Sequence, residues 1–187
     1  MEQFKYPKLV RKGNRVHHVP IETHFKPNDT IVVTEKLDGA NASFFLDKNE
    51  IHAFSRNQKL SDGNTLRGFY PWVISHVMNK VDFNDYHLIV DKLILFGEWL
   101  VRHTVDYGDH FNDDDRFYLF DAYNVQENRF LNWFEIELLA KILKLKTPAV
   151  LYRGKASNTP AAYVDLLKGK TMAADEIGEG VVVKHPN

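Results

Sequence analysis

The feature that most constrains this chain is a series of short apolar runs: Ile31 to Val33, Ala42 to Leu46, Ile51 to Phe54, Leu93 to Phe96, Phe117 to Ala122, Ala149 to Tyr152 and Gly180 to Val183. Each has the length of a strand, not a helix, and polar or turn-forming residues close it. The runs 42–46 and 51–54 flank the polar turn Asp47-Lys48-Asn49-Glu50, which predicts a hairpin. Between the strands, Thr65 to Lys80 and Trp133 to Leu145 carry apolar residues at three- and four-residue spacing and read as helices. In the second, the stripe Phe134, Leu138, Ile142 and Leu145 marks the expected core face. Trp72, Val73, Val77, Trp133, Phe134 and Leu138 are expected in the core rather than as base-stacking platforms. Thr159-Pro160 ahead of Ala161 to Lys168, with Gly169 behind, predicts a third helix with an N-cap, a first-turn proline and a glycine stop. The expected class is α+β with mainly antiparallel pairing. No repeat or Gly/Ser/Pro linker divides the chain, so residues 1–187 read as one domain.

With no cysteine, disulfide frameworks, thiolate zinc sites and cysteine nucleophiles are excluded. The 24 Lys and Arg against 25 Asp and Glu leave a net charge of −1, so a polyanionic partner needs a local basic patch. Lys5, Lys8, Arg11, Lys12, Arg15 and Lys26 within residues 1–26 read either as a solvated surface or as such a patch, whereas 106–115 hold five Asp and read as a solvated loop flanked by His103 and His110. No signal-peptide run opens the chain and no eighteen apolar residues occur together, so a soluble cytoplasmic protein with no membrane partner is expected. The sequence also lacks both the Gly-x-x-x-x-Gly-Lys-Ser/Thr and the Gly-x-Gly-x-x-Gly phosphate loops.

The sharpest local signal is Glu35-Lys36-Leu37-Asp38-Gly39-Ala40-Asn41, which sets a lysine at a strand end beside a turn. Lysine attacks as the free amine, and carboxylates beside it favour the ammonium, so activation calls for a nearby cation. Other polar islands sit in or beside apolar runs: Ser55-Arg56-Asn57, Glu98 within Leu93 to Leu100, and Glu179 and Lys184 bracketing Gly180 to Val183. A carboxylate in such a run is either at a wet strand end or at a site. Carboxylates, arginine and lysines converging on one point suit Mg²⁺ and a triphosphate.

In that order the residues resemble the covalent nucleotidyltransferases, the superfamily of polynucleotide ligases and mRNA capping enzymes. Lys36-Leu37-Asp38-Gly39 is similar to motif I, Ser55-Arg56 to motif Ia, Leu95-Phe96-Gly97-Glu98 to motif III, Phe117 to Asp121 to motif IIIa, and Glu179 to Lys184 to motif IV. Asn41, where capping enzymes and most DNA ligases carry arginine, resembles the RNA ligase 2-type RNA ligases. The resemblance implies a nucleotidyltransferase fold, similar to ATP-grasp, whose antiparallel sheets and flanking helices enclose an ATP cleft with Lys36 at its floor. It implies ATP as AMP donor, Mg²⁺ or Mn²⁺ as cofactor, a lysyl-adenylate on Lys36, and AMP transfer to an RNA 5′-phosphate at RNA ends or in a nicked duplex. By the same resemblance Glu35 accepts from the adenine amino group, Phe120 stacks on the purine and Glu98 holds the ribose. Asn41 and Arg56 serve the sugar-phosphate and the RNA end, Glu179 organises metal-bound water, and Lys184 contacts phosphate.

Family members continue to motif V, a strand with two lysines, and often to a further RNA-binding domain, whereas this sequence stops at His185-Pro186-Asn187. Motif V and that domain are expected to be missing, which leaves three readings: a fragment, a short protein, or substitution by another lysine such as Lys168 or Lys170. Two rival readings follow: a silent module that only binds nucleotide or RNA ends, and a DNA ligase or capping-type nucleotidyltransferase, against which Asn41 speaks.

Overall fold

The computed structural model describes residues 4–7, 25–26, 28–47, 50–80, 92–156 and 160–185. Its strands are β1 (Thr30–Lys36), β2 (Ala40–Asp47), β3 (Glu50–Ser55), β4 (Leu93–Trp99), β5 (Phe117–Asn124), β6 (Arg129–Phe130), β7 (Val150–Lys155) and β8 (Gly180–Lys184). Its α-helices are α1 (Phe69–Lys80) and α2 (Trp133–Ile142). The strands form two antiparallel sheets, one of five in the order β3-β2-β4-β5-β6 and one of three in the order β7-β1-β8. Every apolar run of strand length became a strand, those of β1, β2 and β4 with buried residues on both faces. On the five-stranded sheet, Phe44, Leu95, Trp99, Phe117 and Leu119 pack with Phe69, Val73 and Val77 of α1 and with Ile136 and Leu139 of α2. Phe45, Phe54, Ile94 and Phe96 turn to the opposite face, where Phe4, Tyr6 and Phe120 meet them. The centre of the expected hairpin turn, Lys48 and Asn49, lies outside the described residues, as do Lys8, Arg11, Lys12 and Arg15 of the basic segment.

The helical stripe is corrected. Phe134, Leu138 and Ile142 are 71%, 50% and 41% exposed, while Trp133, Ile136, Leu139, Ala140 and Leu143 are buried. The segment carries two apolar stripes of helical spacing, and periodicity does not say which faces inward. A capping box chooses: the Asn132 side chain accepts from the Glu135 amide and Glu135 accepts from the Asn132 amide, which starts the helix with Trp133 against the sheet.

The third helix is also corrected in kind: Pro160–Leu167 is a 3-10 helix, and its expected N-cap Thr159 lies outside the described residues. At three residues per turn Tyr163 and Leu166 eclipse, so both lie over Ile31 and Val33 on the outer face of β1. Among the described residues no helix is long and apolar enough to cross a membrane.

Candidate active site

β1 is the middle strand of its sheet, and its last residue, Lys36, pairs in register with Gly180 at the start of β8. That register places Glu179 beside the Lys36 ammonium, and the two form an ion pair. Beyond Lys36 the chain turns through Leu37, Asp38 and Gly39 into β2 of the other sheet, so the turn joins the two sheets at one point.

Loop groups on all sides fix that turn. Asp38 accepts hydrogen bonds from the amides of Thr104 (2.8 Å) and Val105 (2.9 Å), and His103 Nδ1 lies 2.8 Å from its other oxygen. Burial alone would raise the Asp38 carboxyl; the Val105 and Thr104 amides and the His103 ring hold it below the usual carboxylate range. The Asp38 amide donates to the Tyr107 hydroxyl at 2.7 Å. Burial, and then the neighbouring carboxylates Glu35, Asp38 and Glu179, push that hydroxyl well above the usual tyrosine range, so it stays protonated. The Gly39 amide donates to Glu98 at 3.0 Å.

Gly39 is required by space rather than by a left-handed backbone. A Cβ there would stand 2.5 Å from the Trp99 carbonyl oxygen, which neither chain can yield without moving the turn. Gly39→Ala is expected to cost about 3 kcal/mol and to lower the melting temperature by roughly 6–12 °C. A thermal melt matching the wild type would show that the turn is not held as described.

Glu98 is the most perturbed carboxyl of the site, pushed up to about 7. Burial is the main cause; the Gly39 amide and Lys36 pull it down, and Glu179 and Asp38 push it up. Asn41 pairs with Glu98 across β2 and β4, and one step past the last β2–β3 pair, Ala42 with Ser55, comes Arg56. Asn41 and Glu98 therefore lie on adjacent strands, and Arg56 follows the end of the next strand, β3, on the same side of the sheet.

Glu35 is 1% exposed and points away from Lys36, as successive strand residues do. Its carboxylate accepts from Thr171 Oγ1 (2.5 Å) and from the Met172 amide (3.1 and 3.3 Å), so it anchors the segment that precedes β8.

Phe120 and Lys184 form a second group. Lys184 faces Val32, four residues along β8 from Gly180 and thus about 13 Å from the Lys36 position at ~3.3 Å per residue. Its ammonium donates to the Phe120 carbonyl (2.5 Å) and to Asp121 (3.1 Å) and lies 5.7 Å from the Phe120 ring centre. Lys184, expected to contact phosphate, pairs with Asp121, whose side chain also accepts from the Tyr6 hydroxyl at 2.8 Å. Phe120 sits at a register shift between β4 and β5, where the extra residue turns its half-buried ring onto the Phe96 face. A cavity of about 280 Å³ opens beside this group, lined by Tyr6, Asp121, Trp133, Val182 and Lys184 among others.

Sequence reasoning missed Thr104, Val105, Tyr107, Thr171 and Met172. Most act through backbone amides on loops, where no residue type or spacing signals them.

Among the described residues no group of three or more His, Asp or Glu side chains forms a ready cage for a metal ion. What the site offers is Glu179, ion-paired with Lys36, and Glu98, close enough to Lys36, Glu179 and Asp38 to feel the charge of each. Such a donor set fits a hydrated divalent cation held by one or two carboxylates and by phosphate oxygens of a substrate.

Comparison with known proteins gives a family and a fold. The family model described as RNA ligase matches residues 29–187. The fold is similar to that of Naegleria gruberi RNA ligase, solved as a mutant with ATP and Mn at a TM-score of 0.70 and 20% identity, covering 97% of this chain and 55% of that chain. The same enzyme with PPi matches at 0.70 and 20%, with 97% and 54% covered. A further mutant with AMP and Mn matches at 0.70 and 20%, with 97% and 55% covered. The chain thus spans little more than half the length of these structures. No curated protein sequence matches it.

Proposed function

Because the chain belongs to the RNA ligase family, we propose that it is the adenylation domain of an ATP-dependent RNA ligase, in which Lys36 takes AMP from ATP and passes it to an RNA 5′-phosphate. The observation that carries this reading is the lysine at the sheet-joining turn, ion-paired to Glu179 and flanked by a Glu98 carboxyl titrating near 7. The Lys36 nitrogen loses a proton and attacks the α-phosphorus; a P–N bond forms, the P–O bond to pyrophosphate breaks, and a phosphoramidate remains. Glu179 and Glu98 would hold a hydrated divalent cation, which would neutralise phosphate charge. Asp38, through its amide and side-chain contacts, holds the turn so that the amine approaches from one direction. Glu98 accepts from the ribose hydroxyls, with Asn41 and Arg56 beside it for the sugar-phosphate and the RNA end.

Phe120 supplies the stacking face for adenine. Lys184 belongs at that base end rather than at the phosphates, given its distance along β8 and its pairing with Asp121. Glu35, with its carboxylate taken by Thr171 and Met172, contributes by shaping the adjacent wall.

The test is AMP transfer. With ATP, a divalent metal and a 5′-phosphorylated nicked RNA duplex, AMP-capped RNA is expected, and far less with GTP or a DNA nick. Equal transfer from GTP would move the assignment to the capping branch. RNA binding without AMP transfer from any nucleotide would favour the silent binding module.

A further inference from the structure

A closed ring of contacts lies beside the Lys36 turn and takes no part in the adenylation chemistry. Arg67 Nη1 donates to the Arg102 carbonyl at 2.9 Å. The Arg102 guanidinium lies over the Phe111 ring, 5.4 Å from its centre. Arg116 Nη1 donates to the Phe111 carbonyl at 3.0 Å, and its guanidinium covers the Trp99 ring at 4.6 Å. Trp99 Nε1 closes the ring by donating to the Arg67 carbonyl at 3.3 Å.

The ring touches the active-site turn twice. Trp99 supplies the carbonyl against which Gly39 packs, and His103, next to Arg102, is bonded to Asp38. Among the described residues none of the three guanidiniums forms an ion pair; the hydrogen bonds of Arg67 and Arg116 go to backbone carbonyls, and Arg116 Nε is buried without a partner. Of the five acidic residues between Arg102 and Arg116, Asp106 accepts from the Gly108 amide, Asp113 pairs with Lys146 and Asp115 accepts from Trp72, while Asp109 and Asp114 are exposed.

Arg67 is also held at a conformational cost. Leu66, Arg67 and Gly68 run at φ of 50°, 53° and 95°, consecutive left-handed residues of which only the last is glycine. Such strain persists where surrounding structure enforces it, and it gathers at binding sites. Here it is pinned by Trp99 and presents Arg67 to solvent beside Arg102, both exposed. Arg102, stacked on Phe111, and Arg67, with one nitrogen on the Arg102 carbonyl, have no ion pair among the described residues and can offer their remaining N–H groups to phosphate. The protein's net charge of −1 gives no general attraction to a polyanion, so a local cluster of this kind has to supply it.

We propose that Arg67 and Arg102, braced by Arg116, bind the phosphate backbone of the RNA strand that carries the AMP-accepting 5′-phosphate. This rests on the ligase reading above. The arginines are joined to the Asp38 turn through Trp99 and His103, which would set an RNA backbone held on them beside Lys36.

The test titrates the protein into a fluorescent, 5′-phosphorylated nicked RNA duplex over a salt series and compares wild type with Arg67→Asn/Arg102→Gln and with Arg102→Gln alone. Asparagine tolerates the left-handed backbone, so the fold is kept, and thermal melts check this. The double variant is expected to bind roughly 10- to 100-fold more weakly, with the log–log salt slope shallower by about 1.5–2; the single variant loses about one. A structural defect would not shift the slope while leaving the melt unchanged. Unchanged RNA affinity and slope overturn the proposal, as does a wild type that binds no RNA, or a loss confined to ATP affinity. AMP labelling of the wild type, measured separately, decides the ligase reading on its own: unlabelled protein with arginine-dependent RNA binding would sink that reading and leave the RNA site standing.

Discussion

A Lys36→Ala protein is expected to bind ATP and yet take up no AMP, its rate of adduct formation falling by more than about 10⁴-fold to background. Alanine removes the only atom proposed to form the P–N bond, while Phe120, Asn41 and Glu98, which sit on the other sheet, are left in place. The loss therefore falls on the covalent step, and calorimetry should show ATP affinity within about tenfold of the wild type. The same change has an electrostatic signature. Lys36 lowers the Glu98 carboxyl, so its removal leaves Glu98 among Glu179 and Asp38 without a cation and moves its titration above about 7. An adduct that forms at an undiminished rate in Lys36→Ala would place the nucleophile elsewhere.

Glu98→Gln is expected to trade activity for stability. The folded Glu98 carboxyl titrates near 7 because it is buried, against about 4.3 for an exposed glutamate. A carboxyl whose pKa is raised by folding binds more protons in the native state, so its contribution is fully present below about pH 4 and is lost as pH rises through 7. At pH 8, without ATP or metal, the wild type holds a buried carboxylate it would rather protonate, and the neutral amide does not. Glu98→Gln should thus be more stable there by on the order of 2–3 kcal/mol, raising the melting temperature by roughly 5–10 °C, with little difference at pH 5. Adduct formation should meanwhile fall about 100-fold, since the amide is a poorer acceptor for ribose hydroxyls and metal-bound water. Equal stability of the two proteins at pH 8 would mean that Glu98 is not the strained carboxyl described.

Much of the fold was legible because its strands are β-branched and aromatic runs with faces buried on both sides, as in Ile31 to Val33 and Leu93 to Phe96. The two-residue β6 left no pattern to read, and the order β7-β1-β8 unites segments more than a hundred residues apart, which no local rule foresees. In α2 the exposed Phe134, Leu138 and Ile142 are as regular in spacing as the buried set; only the Asn132–Glu135 capping box distinguishes them, through the phase at which the helix begins.

At the site, Lys36, Asp38, Glu98 and Glu179 were visible as charged residues at strand ends, where burial would otherwise be costly. What held them was not visible. Thr104, Val105 and Met172 act through amides, and Tyr107 looked like a core aromatic. Lys184 lies on the strand that begins beside Lys36, but its neighbours are set by register, and four residues of strand carry it to Asp121. The arginine ring was hidden for a related reason: Arg67, Arg102 and Arg116 are scattered in sequence and meet only around Trp99 and Phe111.

The central claim is that Lys36 carries AMP, and it is tested most directly by locating the adduct. The wild-type protein is incubated with ATP and Mg²⁺ or Mn²⁺, its intact mass recorded, and the labelled peptide sequenced by mass spectrometry. The account predicts a single AMP on Lys36 that is discharged when pyrophosphate is added. No adduct with either metal, or an adduct on another residue such as Lys184, would contradict it.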